Sequence, residues 1–169
     1  MNATLSSWND APANAALDAM MACCGARRWA AAMVALRPVG SVHELSAAAD
    51  QVWSAMQEAD WMEAFACHPR IGERKARDAS KTSAAWSQQE QSSANAAADH
   101  VLAELAAGNA LYEQRFGFTY IVCATGKSAE EMLAILNRRL ASDRASELRE
   151  AAEQQRQITQ IRLGKWLVE

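Results

Sequence analysis

The sequence predicts an all-α protein: a single-domain bundle of about seven to eight helices over residues 1–169, with one short extended segment near Phe118–Ala124. Three observations carry this. Half of the 169 residues are apolar with alanine prominent, and only seven glycines and three prolines interrupt them. Capping-box spacing, in which a serine oxygen and a glutamate three residues on each satisfy an orphan amide, occurs at Ser41–Glu44 and Ser128–Glu131. Phe116–Ala124 is the only β-like run, and one such run cannot make a sheet alone.

Taking the elements in order, Pro12 and Gly25 bracket a first helix with Ala16, Leu17, Met20 and Met21 on one face. A second runs from about Arg27 to Leu36 and stops before Pro38. Ser41 opens a third, with Leu45, Ala49, Val52 and Met56 at helical period, and His43 falls on its surface. The fourth carries Trp61, Met62 and Phe65 into His68-Pro69, and Arg70 to Ser80 reads as a loop. Ser83–Gly108 reads as one alanine-rich helix anchored by Trp86, Val101, Leu102 and Leu105, with His100 in a structural role. A stop or kink at Gly108-Asn109 precedes Ala110–Arg115. Phe118–Ala124 is expected as a buried extended segment or a helix start. Ser128 opens a helix to Leu140, and Ser142-Asp143 cap a long last one, with Leu148, Ala151, Gln155, Ile158 and Ile161 or Arg162 on one face.

The composition excludes several function classes. A net charge of −3 and a pI near 5.7, with no basic stripe interleaved with aromatics, argue against nucleic-acid binding. No apolar run approaches a bilayer span, and MNATLSSWNDAP lacks the order of a signal peptide, so neither a membrane nor a secreted protein is indicated. The C-terminal KWLVE carries no peroxisomal tripeptide. Cys23, Cys24, Cys67 and Cys123 show neither CxxC spacing nor a disulfide framework and read as buried free thiols. A cytoplasmic protein is expected.

Chemistry is expected around Asp60–Arg74, DWMEAFACHPRIGER. Proline biases the preceding residue away from the helix, so His68 is the last helical residue or the first outside, its imidazole at the edge of a packed element. Arg70, Arg74, Lys75 and Arg77, against Glu73 and Asp78, suggest an anionic ligand. Two other places stand out: Glu90-Gln91 in WSQQEQSSA, and Arg162 between Ile161 and Leu163. Singly, each has a bland explanation: a helix stop, a capping box at Ser87-Gln88-Gln89-Glu90, and a snorkelling arginine.

Together, HPRIG, then S-x-x-E-Q, then N-x-x-Y-x-x-R-F-G-F before an apolar run, then I-R-L closely resemble the 2-oxo-4-hydroxy-4-carboxy-5-ureidoimidazoline (OHCU) decarboxylase family over essentially the whole chain. One motif departs: the family commonly has proline and phenylalanine after FGF, where this chain has Thr119-Tyr120. The resemblance implies an all-helical bundle that commonly dimerises and performs the last step of urate breakdown, to (S)-allantoin and carbon dioxide. It assigns His68, Glu90 and Arg162 to catalysis, and Pro69, Ser87, Gln91, Phe118 and Ile121 to binding a small ureidoimidazoline substrate.

The residue types suit that reaction. The substrate's ring C=N can accept the electrons left by departing carbon dioxide, so neither metal nor organic cofactor is expected, in keeping with the absence of HExxH and of a glycine-rich phosphate loop from the sequence. His68, with an ordinary pKa of about 6.5, would partner the hydroxyl as hydrogen-bond partner or general base. Glu90 would orient His68 or a ureido N–H, Gln91 would bond the ring or ureido edge, and Arg162 would fork carboxylate or carbonyl oxygens. Two rivals remain at this level. One is a non-catalytic helical interaction module, in which these side chains point apart. The other is a metal hydrolase using Cys67, His68, His43 and His100.

Overall fold

The computed structural model describes residues 2–73, 80–92 and 97–169, in which nine helices and no strand occur. They are α1 (Ala3–Asp10), α2 (Ala13–Cys23), α3 (Arg27–Ala35), α4 (Val42–Ser54), α5 (Glu58–Ala66), α6 (Lys81–Glu90), α7 (Asp99–Phe116), α8 (Ala129–Arg139) and α9 (Arg144–Trp166). They fall into two compact units: residues 1–64 with 156–169, and residues 65–155.

Two tryptophans of the first unit have satisfied indole N–H groups. Trp29, with no solvent exposure, donates to the Ala49 carbonyl at 3.1 Å, and Trp8 donates to that of Ala16 at 3.0 Å. The helix α1, absent from the sequence expectation, is too short for periodicity to reveal. It forms because the Asn2 side chain accepts from the Leu5 amide and because Leu5 and Trp8 are buried. Arg37 closes its other end, donating to the carbonyls of Trp8 and Ala11 at 2.6 and 2.8 Å. The last turns of α9 are clamped to α4: Ser46 Oγ donates to Gln160 Oε1 at 2.7 Å, and Gln160 Nε2 donates to the Ser46 carbonyl at 2.9 Å.

In the second unit, the expected helix over Ser83–Gly108 is instead two. Ser80, not Ser87, caps α6 by accepting from Ser83; the Ser87–Glu90 pattern sits at that helix's end, because the residues before it are already helical. The Gln91 and Ser92 amides return to the Ser87 and Gln89 carbonyls, closing α6. His100 is exposed in the first turn of α7 rather than structural. Gly108-Asn109 does not stop α7, which runs on to Phe116: a Cβ on Gly108 would lie 2.6 Å from Leu136 Cδ2, so glycine there serves the close approach of α7 and α8. The capping box at Ser128–Glu131 forms as expected, whereas at Ser41 only half does: Glu44 receives the Gly40 amide at 2.8 Å.

Behind these helices lies a buried polar cluster that sequence reading did not single out. Arg139 and Glu147, each 1% exposed, pair at 2.5 Å, and the Tyr112 hydroxyl donates to the same carboxylate. Burial opposes the charge on Arg139, but the Glu147 hydrogen bond outweighs it together with the surrounding groups and raises its pKa. Burial likewise pushes the Tyr112 hydroxyl far up, keeping it a donor.

Asp143 caps α9 by accepting from the Ser146 amide at 2.8 Å, and this bond holds its carboxyl below the usual range. A depressed folded-state pKa means stabilisation that is full above the unfolded pKa and lost as pH falls through the folded one. The stability difference between wild type and Asp143→Ala, from urea unfolding, is therefore expected to be constant near neutrality and to vanish in acid. A pH-independent difference would refute the capping account.

Candidate active site

His68 lies two residues beyond α5, where its amide donates to the Phe65 carbonyl at 3.1 Å, and Pro69 behind it is buried. It is thus outside the helix. The turn that follows is tied down from two helices: Asn109 Nδ2 on α7 donates to the Ile71 carbonyl at 3.1 Å, and the Gly72 amide donates to Gln91 Oε1 at 3.0 Å. Gly72 adopts φ 91°, which a side chain would strain. Its backbone geometry and the Gln91 bond together set the path away from His68.

The imidazole itself is held from α9: His68 Nε2 and Gln155 Oε1 are hydrogen-bonded at 2.6 Å, and Gln155 has no solvent exposure. Sequence reading placed Gln155 on the buried face of the last helix but gave it no role at the site. Its signal was a polar residue inside an apolar stripe.

The cations after Pro69 divide. Arg70 is exposed and forks Glu113 at 2.6 and 2.8 Å, so it is a surface ion pair rather than an anion site; Arg74, Lys75, Arg77 and Asp78 lie outside the described residues. No set of three or more His, Cys, Asp or Glu side chains that could hold a metal ion occurs among the described residues.

Ser87 is buried on α6, and Glu90, half-buried, is that helix's last residue. With its carbonyl oxygen engaged by Gly72, Gln91 has its amide N–H₂ to offer a ligand. Phe118 is buried in an aromatic cluster, its ring 5.4 Å from Phe65 and 5.7 Å from Tyr112. Residues 118–124 form neither helix nor strand, and all but Thr119 are buried; side chains satisfy part of their backbone. Arg139 donates to the Ile121 carbonyl at 2.5 Å, the Cys123 amide donates to Gln154 at 2.8 Å, and Lys127 donates to the Cys123 carbonyl at 2.7 Å. The Tyr120 found in place of the family's phenylalanine is buried and donates to the Met132 carbonyl at 3.0 Å, so the departure adds a tether to α8.

Arg162 belongs to the first unit, where it is 2% exposed. Its charge reaches Cys23: burial pushes that thiol up to about 12, and the guanidinium opposes the rise. Cys23, Cys24 and Cys123 are buried as expected and Cys67 is half-buried; none of the four is in a disulfide.

The described residues form an all-helical scaffold with one oriented histidine just past a helix end on a tethered turn, an arrangement chemically able to exchange a proton. The chain belongs to the OHCU decarboxylase family, whose sequence profile matches residues 9–164. It is 36% identical over 149 residues to the uric acid degradation bifunctional protein TTL of Arabidopsis thaliana, covering 88% of this chain and 46% of that one. The chain thus spans about half the length of that relative. It is 30% identical over 134 residues to the 2-oxo-4-hydroxy-4-carboxy-5-ureidoimidazoline decarboxylase of Amia calva, covering 79% of this chain and 77% of that one. The crystal structure of an OHCU decarboxylase in the presence of (S)-allantoin superposes with a TM-score of 0.78 at 33% identity, covering 90% of this chain and 99% of that one.

Proposed function

We propose that this chain converts OHCU to (S)-allantoin and carbon dioxide, with His68 as its acid–base residue. The observation that carries the reading is the orientation of the His68 imidazole by a buried amide in a chain of this family. In the reaction the bond to the carboxylate breaks, carbon dioxide leaves, and the electron pair moves into the adjacent ring C=N. The hydroxyl proton departs as that carbon becomes a carbonyl, one proton is delivered to a single face of the ureido-bearing carbon, and the ring nitrogen that took up the electron pair gains a second proton from solvent. His68 accepts the hydroxyl proton or its hydrogen bond. Gln91 donates to a ring or ureido oxygen, and Glu90 accepts from a ureido N–H. Ser87 adds a hydroxyl, and Pro69, Phe118 and Ile121 supply rigid apolar surface. Arg162 keeps the role the family pattern assigns it, a fork for carboxylate or carbonyl oxygens; its burial on α9 supports a function that needs a dry, immobile guanidinium.

The reading includes the whole chain acting as one domain, a homodimer and a cytoplasmic setting. The family resemblance supports the first two, and the free cysteines support the third. Sedimentation at micromolar concentration is expected to show a dimer, and a monomer would remove that part. No helix among the described residues is long and apolar enough to cross a membrane.

The decisive measurement generates the substrate in situ from urate, adds the protein and follows the circular dichroism of the product. The expected result is rapid appearance of the (S) signal. Racemic allantoin at the uncatalysed rate would overturn the assignment and favour a non-catalytic helical module.

A further inference from the structure

We infer that Gln155 is a positioning residue that holds the His68 imidazole in the Nε2-protonated tautomer and so places its basic lone pair on Nδ1. The proposal rests on the decarboxylase reading for its kinetic consequence, but not for its structural content. Nε2 and the Gln155 amide oxygen are 2.6 Å apart, and the glutamine is wholly buried on α9. An amide oxygen only accepts, so the ring nitrogen facing it carries the hydrogen. In a neutral imidazole the other nitrogen then holds the lone pair, which makes Nδ1 the atom that takes a proton from substrate.

An amide is suited to this task in a way that a carboxylate is not. A carboxylate in the same place would also fix the tautomer, but its charge would favour the imidazolium and hold the base protonated at neutral pH. The neutral glutamine orients the ring without that penalty. It is wholly buried and projects from the middle of α9. The turn on the other side of His68 is held independently by Asn109 and Gln91, so Gln155 selects the ring's rotation and tautomer rather than the path of the chain.

The test combines substrate-free ¹⁵N NMR of the imidazoles with steady-state kinetics. The chain has three histidines, and the His68 resonances are those missing from the His68→Asn spectrum. At mildly alkaline pH, wild-type His68 is expected to show a protonated Nε2 and an unprotonated Nδ1. Gln155→Met, close in volume but without an acceptor, is expected to give mixed tautomers and a kcat lower by about 10–100-fold with KM little changed, the scale of losing a partner that orients an active group. Gln155→Glu restores an acceptor and is expected to recover the single Nε2–H tautomer. A wild-type Nδ1–H tautomer, or an unaltered tautomer and kcat in Gln155→Met, would overturn the inference. The expected tautomer in a wild-type protein that turns over no substrate would uphold the positioning role and overturn the decarboxylase reading instead.

Discussion

His68→Asn is expected to keep its helices and lose about 10²–10⁴-fold in the rate of (S)-allantoin formation, the range that general acid–base groups supply. The two halves of this expectation have separate causes. His68 lies beyond the end of α5 and is only half-buried, so the apolar core loses little when it changes. Its neighbours Pro69 and Ile71 retain their burial, and Ile71 and Gly72 their tethers, which keeps the turn in place. Asparagine keeps a side-chain donor at this position, whereas alanine has none. The asparagine variant is therefore the cleaner probe of chemistry. Its far-ultraviolet spectrum and melting curve should resemble wild type while the initial rate collapses. Turnover close to wild type would remove His68 from the mechanism.

Glu147→Ala is expected to destabilise the protein by about 3–5 kcal/mol, because it strands a buried guanidinium. Arg139 and Glu147 are both 1% exposed, and the same carboxylate receives the Tyr112 hydroxyl, so one substitution orphans two buried donors. Against a whole-domain stability of about 5–15 kcal/mol this is a large fraction. The contrast is Glu113→Ala, which breaks the solvent-exposed Arg70 fork and should cost at most about 1 kcal/mol. Urea unfolding of the two variants side by side measures the difference. Equal losses would show that the buried cluster contributes no more than a surface pair. Because Arg139 also supports the Ile121 carbonyl, the damaged variant should lose activity together with its fold rather than before it.

How much of this was legible beforehand depended on the range of the interactions involved. Ser128 with Glu131, the stop at His68-Pro69, and the Pro12-to-Gly25 bracket around α2 are written within one or two turns of chain, where a cap or a missing amide acts on its nearest neighbours. The helical class, the buried face of α9 and the family motifs were therefore readable by themselves. The mistaken readings lie where a local pattern had two meanings. Gly108-Asn109 looked like a stop or kink, but the helix runs on through it with Leu136 close against Gly108, and the Ser87–Glu90 spacing matched a capping box although it lies at the end of a helix that Ser80 caps. The partner of His68 is 87 residues away, and the partner of the Ile121 carbonyl is 18 away. The sequence by itself determined the helical class, most of the helices, a histidine at the end of one of them, and the family. Only the tertiary structure decided that Gln155 faces that histidine and that Arg139 closes on Glu147, because a buried polar side chain takes whichever partner packing brings within about 3 Å, and local spacing carries no record of that choice.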